Sequence, residues 1–149
     1  MNINIRGRLF DLSKPKVMGI LNLTPDSFYD GGVHNEINMI ENHVNKMVND
    51  GMDILDIGGY SSKPGAKNIS VDEELSRVIP ILKHIRKIFP ELVISIDTFR
   101  SKIASASLNE GADIINDISG GTLDKNMMSI VAKNNCPYIL MHMQGNPQN

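Results

Sequence analysis

The sequence predicts an α/β protein built on a parallel sheet. Short apolar runs rich in Val, Ile and Leu alternate with longer segments of helical periodicity, which is typical of βαβ units. The chain has 149 residues, a length that suits one domain with a buried core. The five predicted strands are Val17–Leu21, Ile54–Ile57, Leu92–Ile96, Asp113–Ile118 and Tyr138–Met141.

The segment before the first of these strands has a different pattern. Residues 2–12 alternate polar and apolar side chains and predict a short hairpin with Arg6-Gly7-Arg8 near its turn. After the first strand, apolar residues recur at helical spacing, and Gly51 follows them as a left-handed stop. The apolar face of this helix is predicted to contain Ile37, Ile40, Val44, Met47 and Val48.

A second helix is predicted from its start signal. Ser70-Val71-Asp72-Glu73 is a capping box, and an apolar face continues from it to Ile88. Pro80 lies inside this pattern and is expected to kink the helix or interrupt its hydrogen bonding. Two weaker helical patterns cover residues 100–110 and 124–135.

One internal repeat supports the modular fold. The segment from Asn49 to Asp56 (NDGMDILD) matches the segment from Asn109 to Asn116 (NEGADIIN), sixty positions later. Each copy contains a helix end, a glycine, a buried strand and a final polar residue. Repeated βα modules produce this pattern without shared chemistry, so it indicates fold only.

Composition excludes several classes of protein. The formal net charge is -2 and 21% of residues are charged, which argues against a dedicated surface for nucleic acid or anionic membrane. The apolar runs are too short to span a bilayer, and the amino terminus lacks the apolar core of a signal peptide. The one cysteine, Cys136, cannot form an internal disulfide, so we expect a cytoplasmic protein.

The apolar run of each predicted strand ends in a polar side chain, at Asn22, Asp56, Asp97, Asn116 and His142. A barrel enzyme carries its working groups at this carboxyl-terminal face. A complete eight-stranded barrel needs about 250 residues, so an open doubly wound sheet fits the length better. However, the glycine-rich phosphate loop typical of such sheets is missing after every strand.

Two long loops contain further polar groups. Residues 22–32 follow the first strand with two carboxylates, the aromatic ring of Phe28 and a Gly-Gly hinge. Residues 58–66 follow the second strand with hydroxyls, one lysine and exposed glycine backbone, which suit an anionic, oxygen-rich ligand. A carboxylate and a carboxamide on the next two strand ends, Asp97 and Asn116, can bind the polar edge of a flat heterocycle.

Together these segments resemble the dihydropteroate synthase family. The resemblance covers the chain from the first strand onwards, and its first two segments are highly specific. It implies a TIM-type (β/α)8 barrel with only about the first five βα units present, so residues 1–149 form an incomplete pterin-binding domain. The matching segments are Met18–Phe28 (MGILNLTPDSF), Asp56–Gly65 (DIGGYSSKPG), Ser95–Thr98 (SIDT), Asn116-Asp117 and Met141–Gly145 (MHMQG).

The resemblance also implies a reaction and its ligands. The family joins 6-hydroxymethyl-7,8-dihydropterin diphosphate to 4-aminobenzoate and releases diphosphate. Asn22 is implied as a ligand of Mg²⁺, a hard cation that prefers oxygen. Ser62 is implied to bind the diphosphate, and Asp97 and Asn116 the pterin ring.

The first two loops are implied to hold the aminobenzoate. Asp26 and Asp30 are expected to order the first loop, with Asp30 near the incoming amine. Lys63 stands where the family usually carries arginine, and is implied as a catalytic group with those two carboxylates. The apolar slot for aminobenzoate is expected to contain Pro25, Phe28 and Pro64.

Two other functions remain open at this stage. A tetrahydrofolate-dependent methyltransferase of the same fold also binds a pterin, although it has no aminobenzoate to enclose. A non-catalytic pterin-binding module is the other alternative. The resemblance implies a homodimer for the complete enzyme. It also implies that three βα units, with their pterin- and diphosphate-binding groups, are missing from these 149 residues. This chain alone is therefore not expected to catalyse the reaction.

Overall fold

Five parallel strands form the central sheet of the computed structural model, which describes residues 1–25, 33–61 and 65–145. A separate two-stranded antiparallel hairpin precedes this sheet. The described elements, in chain order, are β1 (Asn2–Ile5), β2 (Arg8–Asp11), β3 (Met18–Asn22), α1 (Val33–Asn49), β4 (Ile54–Gly58), α2 (Val71–Ile88), β5 (Val93–Asp97), α3 (Ser101–Asn109), β6 (Ile114–Asp117), α4 (Met127–Asn134) and β7 (Tyr138–Leu140).

The strand order distinguishes between the two architectures that the sequence left open. The strands pair in chain order, β3-β4-β5-β6-β7, and the order does not reverse among them. A doubly wound sheet reverses its order and carries helices on both faces. Here α1 to α4 contribute to one apolar cluster on one face of the sheet. The fold is therefore that of consecutive units of a (β/α)8 barrel, as the sequence predicted.

The face of the sheet that is covered by the helices forms the main core. Side chains alternate between the two faces of a strand, so every second residue points toward the helices. On this face Leu21, Leu55, Ile57, Ile94 and Ile96 are fully buried. The residues of α2 that pack on them are spaced three or four apart, namely Val78, Ile81, Leu82 and Ile85.

The other face of the sheet, which a closed barrel would enclose, has a buried apolar cluster at its amino-terminal end. The hairpin covers this end, with Ile5 packed in a cluster with Ile54, Val93 and Ile114. Ile3 and Phe10 of the hairpin pack against the same cluster. The hairpin thus closes the amino-terminal end of the inner face, and the polar residues lie toward the carboxyl ends of the strands.

The helix signals read from the sequence are largely confirmed. The Ser70 hydroxyl accepts a hydrogen bond from the Glu73 backbone N–H at 3.1 Å and caps α2. Gly51 follows α1 with φ of 100°. Pro80 lies inside α2, which continues through it to Ile88, so the proline does not end the helix. It still removes one backbone donor, because proline has no N–H.

The helix predicted over residues 124–135 begins later, at Met127. The carboxylate of Asp124 accepts a hydrogen bond from the Asn126 N–H at 3.0 Å and another from the Ser101 N–H at 2.7 Å. The Asp124 carboxylate therefore binds the first backbone N–H of α3, and Asp124 is not part of α4. This tertiary contact cannot be predicted from helical periodicity.

A buried ion cluster connects the hairpin to the amino-terminal end of the sheet. Asp113 has a fully buried side chain and accepts a hydrogen bond from the Ile94 N–H at 2.9 Å. Arg86 Nη2 lies 2.8 Å from its Oδ2, and Arg6 Nε of the hairpin turn lies 2.8 Å from its Oδ1. Arg86 also donates to backbone carbonyl groups, including those of Leu92 and Gly111.

We expect Arg86→Leu to lower the free energy of unfolding by about 3–5 kcal/mol, because it leaves a buried carboxylate short of its main partner. Arg6→Ala is expected to cost about 1 kcal/mol, since the Arg6 side chain is 42% exposed and Arg86 remains. Urea denaturation measures both effects. Lys83→Ala, which breaks an exposed pair with Glu110, is the control and should cost less than about 1 kcal/mol. Equal losses for all three variants would contradict this assignment.

Candidate functional site

The candidate site is a row of residues at the carboxyl ends of four adjacent strands. Strand register aligns Asn22 with Gly58, Gly58 with Asp97, and Asp97 with Asn116. In-register neighbours in a parallel sheet point to the same face, and here that is the inner face. The pairing therefore places a carboxamide, a carboxylate and a second carboxamide at the same height on the sheet. Gly58, which has no side chain, separates the first carboxamide from the carboxylate.

A second polar row lies one step below the first on the inner face. Asp56 precedes Gly58 by two residues and pairs with Ser95, which precedes Asp97 by two. Both side chains are buried, and Asp56 is only 2% exposed. Asn116 Nδ2 donates a hydrogen bond to Asp56 Oδ2 at 3.1 Å. This bond connects the upper row to the lower one and spans β5.

The carboxylate of Asp97 is the most perturbed group of the site. Burial raises its pKa from the ordinary 3.8 to about 7, and the negative charges of Asp56, Glu74 and Asp117 add to the rise. Burial also raises the pKa of Asp56, against the opposing effects of its neighbours Ser95 and Asn116. A cleft in which acids are held together in this way is a frequent feature of functional sites.

Gly58 leaves a space between the first two polar groups of the upper row. A Cβ atom at this position would lie 3.7 Å from Asn22 Oδ1 and 3.4 Å from Asp97 Oδ2. Any larger side chain would fill the space between the two oxygens. Glycine thus keeps the oxygen of Asn22 open, and Asn22 itself is exposed.

The stem of the loop after β4 is held by a buried ion pair. Glu74 of α2 is buried and accepts from Arg100 Nη1 and Thr98 Oγ1, at 2.8 and 2.9 Å. Arg100 also donates to the Ile69 carbonyl at 2.7 Å and stacks over the Tyr60 ring. Tyr60 and Ile69 lie on opposite sides of the loop, so this ion pair fixes both of its ends relative to the sheet.

Residues 18–149 match the family model described as "Pterin binding enzyme". The chain belongs to the pterin-binding enzyme family. Because the match covers β3 to β7 and all of the strand-end residues above, the candidate site lies entirely within the matched region.

Two curated relatives of the chain are a dihydropteroate synthase and a folate synthesis bifunctional protein. The chain is 47% identical over 148 residues to the dihydropteroate synthase of Escherichia coli K12, covering 99% of this chain and 52% of the relative. It is 49% identical over 146 residues to a mitochondrial folate synthesis bifunctional protein of Arabidopsis thaliana, covering 96% of this chain and 26% of that protein. The chain therefore spans about half the length of the bacterial relative.

Solved structures from the same family share the fold. The dihydropteroate synthase of Xanthomonas albilineans with 4-aminobenzoic acid superimposes with a TM-score of 0.88 at 40% identity. The match covers 97% of this chain and 52% of that one. The observed sheet thus corresponds to about half of a pterin-binding enzyme.

The site residues predicted from the sequence divide into two groups. Asn22, Asp97 and Asn116 lie in one in-register row, and Pro25 is exposed just beyond β3. His142 lies beyond the end of β7 and is exposed, so the fifth polar strand end is not part of the row. The remaining predicted residues lie outside the described part of the chain: Asp26, Phe28, Asp30, Ser62, Lys63 and Pro64.

Sequence reasoning noticed Asp56 as a strand end but did not place it in the site. The structure shows that β4 continues to Gly58, so Asp56 faces the interior below the upper row. The alternation of side chains along a strand could have predicted this position. Residues two apart share one face of the sheet, so Asp56 lies on the same face as Gly58, and Ser95 on the same face as Asp97.

The raised pKa of Asp97 predicts a pH-dependent effect of Asp97→Asn on stability. A carboxyl group whose pKa is higher in the folded state than in the unfolded state contributes full stability below pH 4 and loses it as pH rises to about 7. The variant does not titrate, so its stability relative to the unsubstituted protein should increase from pH 4.5 to pH 7 and then stay constant. Urea denaturation across this range measures the difference.

The matched control for this measurement is Asp50→Asn, which removes an exposed carboxylate paired with Lys46. We expect no such increase for the control. A difference between Asp97→Asn and the unsubstituted protein that stays constant from pH 4.5 to pH 8 would show that Asp97 ionises normally.

Proposed function

We propose that this chain provides the amino-terminal half of a dihydropteroate synthase. The reaction forms a bond between the amine nitrogen of 4-aminobenzoate and the methylene carbon of 6-hydroxymethyl-7,8-dihydropterin diphosphate. The carbon–oxygen bond to diphosphate breaks, and the amine loses one proton. The observation that carries the proposal is the in-register row of Asn22, Asp97 and Asn116 in a chain of the pterin-binding enzyme family.

The inner-face acids suit a heterocycle that is rich in N–H groups. Asp97 and Asn116 pair across β5 and β6, so a flat ring can contact both at once. An ionised Asp97 accepts hydrogen bonds from ring N–H groups and stabilises positive charge that develops on the ring as diphosphate departs. Its pKa of about 7 keeps the ionised form accessible near neutral pH.

Asn22 fits the role of a magnesium ligand in this proposal. The open space beside Gly58 gives access to its amide oxygen, and oxygen is the donor that Mg²⁺ prefers. The described residues contain no cluster of three or more His, Cys, Asp or Glu side chains that could hold a metal ion. One protein oxygen completed by substrate phosphate and water is a usual arrangement for Mg²⁺, which would neutralise charge on the diphosphate.

The two loops complete the proposed site. We assign the diphosphate to the Ser62 hydroxyl and the aminobenzoate to the slot of Pro25, Phe28 and Pro64. Asp26, Asp30 and Lys63 are assigned to ordering these loops around the reacting groups. The support for the second loop is the structure of its two ends, because Arg100, paired with Glu74, contacts Tyr60 just after β4 and Ile69 just before α2.

The alternatives are less well supported. The relatives described above are dihydropteroate synthases and a folate-synthesis protein, which favours the synthase over a methyltransferase of the same fold. The proposal also includes a cytoplasmic location, a homodimer for the complete enzyme, and no nucleic-acid or membrane partner. Across the described segments, every helix is too short or too polar to cross a membrane.

A complementation experiment tests the proposed function. A polypeptide of these 149 residues has strands β3 and β7 each paired on one side only, and Ile20 of the inner face is 51% exposed. We expect it to form no dihydropteroate alone. Co-expression with the carboxyl-terminal half of the E. coli synthase should supply the missing strands and restore synthesis from both substrates. Asp97→Ala in this chain should abolish the restored activity.

Two results would contradict the proposal. Robust synthesis by the purified 149-residue monomer would show that the described half is sufficient. Pterin binding by the complemented pair without product would support a non-catalytic pterin-binding module instead. Product formation is measured by chromatography, and the mass of each polypeptide is verified.

The magnesium assignment has its own test. We expect Asn22→Ala to weaken Mg²⁺-dependent binding of the pterin diphosphate by about tenfold or more, and to leave binding of the pterin alcohol nearly unchanged. Calorimetry with both ligands measures the difference. After Mg²⁺ is removed with a chelator, the variant and the unsubstituted protein should bind the diphosphate equally. Equal losses for both ligands would remove Asn22 from this role.

A further inference from the structure

The bond between Asn116 and Asp56 determines which end of the Asn116 amide remains for a ligand. Asn116 Nδ2 donates to Asp56 Oδ2 at 3.1 Å. Asn116 is half-buried in the upper row, whereas Asp56 is 2% exposed in the row beneath. Asn116 Oδ1 is buried and has no hydrogen-bond partner among the described residues. One N–H of the amide is therefore directed at Asp56, and the amide oxygen has no partner among the described residues.

This orientation follows from the chemistry of the two groups. An ionised carboxylate only accepts hydrogen bonds, whereas a carboxamide has one donor end and one acceptor end. Rotating the Asn116 amide by half a turn would place its oxygen against the carboxylate oxygen. The two oxygens would repel each other, and the hydrogen bond would be lost. Asp56 thus selects one of the two amide orientations.

We infer that Asp56 is a positioning residue that fixes Asn116 as a hydrogen-bond acceptor for an N–H group of the pterin ring. This inference rests on the proposed function and assigns to Asp56 a role that acts through Asn116. A buried acceptor without a partner carries a free-energy cost, which an N–H donor of the ligand would remove. The edge of the pterin ring that contacts Asn116 on β6 must therefore carry an N–H group.

The internal repeat of the sequence contains these same two residues. Asp56 and Asn116 end the two matching segments, sixty positions apart, and occupy equivalent places after equivalent strands. The repeat by itself indicates only fold. The contact between the two ends is what gives this pair of positions a joint role at the site.

Two substitutions at Asp56 distinguish positioning from simple filling of space. In Asp56→Asn the new amide oxygen can still accept from Asn116 Nδ2, so pterin affinity should fall only about two- to threefold. In Asp56→Leu no acceptor remains and Asn116 can turn either end to the ligand, so affinity should fall roughly tenfold, the loss expected for one hydrogen bond. Leucine branches at the same carbon atom as aspartate and is apolar but larger, so the fold of this variant is checked by its thermal midpoint.

A double-mutant cycle shows whether the effect passes through Asn116. In an Asn116→Ala background the Asp56→Asn and Asp56→Leu variants should bind 6-hydroxymethylpterin with equal affinity. Binding is measured on the complemented pair of this chain and the carboxyl-terminal half of the E. coli synthase, by quenching of pterin fluorescence with titration into the millimolar range. The thermal midpoint of each variant is recorded beside it, because a merely structural role would lower the midpoint and leave the cycle additive.

The outcomes separate this inference from the proposed function. Absence of pterin binding by the unsubstituted complemented pair would overturn the proposed function and this inference together. Pterin binding that is equal in the unsubstituted chain and Asp56→Leu would overturn the inference alone. A loss in Asp56→Leu that persists in the Asn116→Ala background would also overturn it, because Asp56 would then act independently of Asn116.

Discussion

Backbone pairing among β3, β4, β5 and β6 holds Asn22, Gly58, Asp97 and Asn116 at one level, and the rest of the site depends on this register. Side chains alternate along a strand, so a shift of one residue in any strand would move its polar end to the helix-covered face. The fully buried residues of that face, such as Leu55 and Ile96, oppose such a shift because it would expose them. The apolar core therefore specifies the polar row.

The site brings together acids that oppose one another. Asp56, Asp97 and Glu74 are carboxyl groups in a region shielded from water, and burial raises the pKa of each. Only Glu74 has an arginine partner, at 2.8 Å. Burial of like charges lowers stability, and such strain is common where function requires it. In the proposed site a ligand rich in N–H groups would supply the missing donors.

Stability is concentrated at the opposite end of the strands. The hairpin covers the inner face through Ile5, and Asp113 is neutralised by two arginines from different parts of the chain. The amino-terminal end of the sheet is thus held by apolar contacts and an ion cluster, whereas the carboxyl-terminal end keeps polar groups open. This division is the one expected of barrel enzymes, in which one end provides stability and the other provides chemistry.

The sequence by itself determined the order and type of the elements, because periods of two and of three to four are local properties. The loop motifs likewise predicted the family without a structure, and strand-end polarity predicted Asn22, Asp97 and Asn116. Only the tertiary structure decided that Asp56 contacts Asn116, and that burial, together with the acids around it, raises the pKa of Asp97 to about 7. It also decided that Arg6 forms an ion pair with Asp113 and that the Asp124 carboxylate accepts a hydrogen bond from the first residue of α3. These contacts join residues far apart in the chain, and their energies depend on distance and burial, which neither composition nor spacing contains.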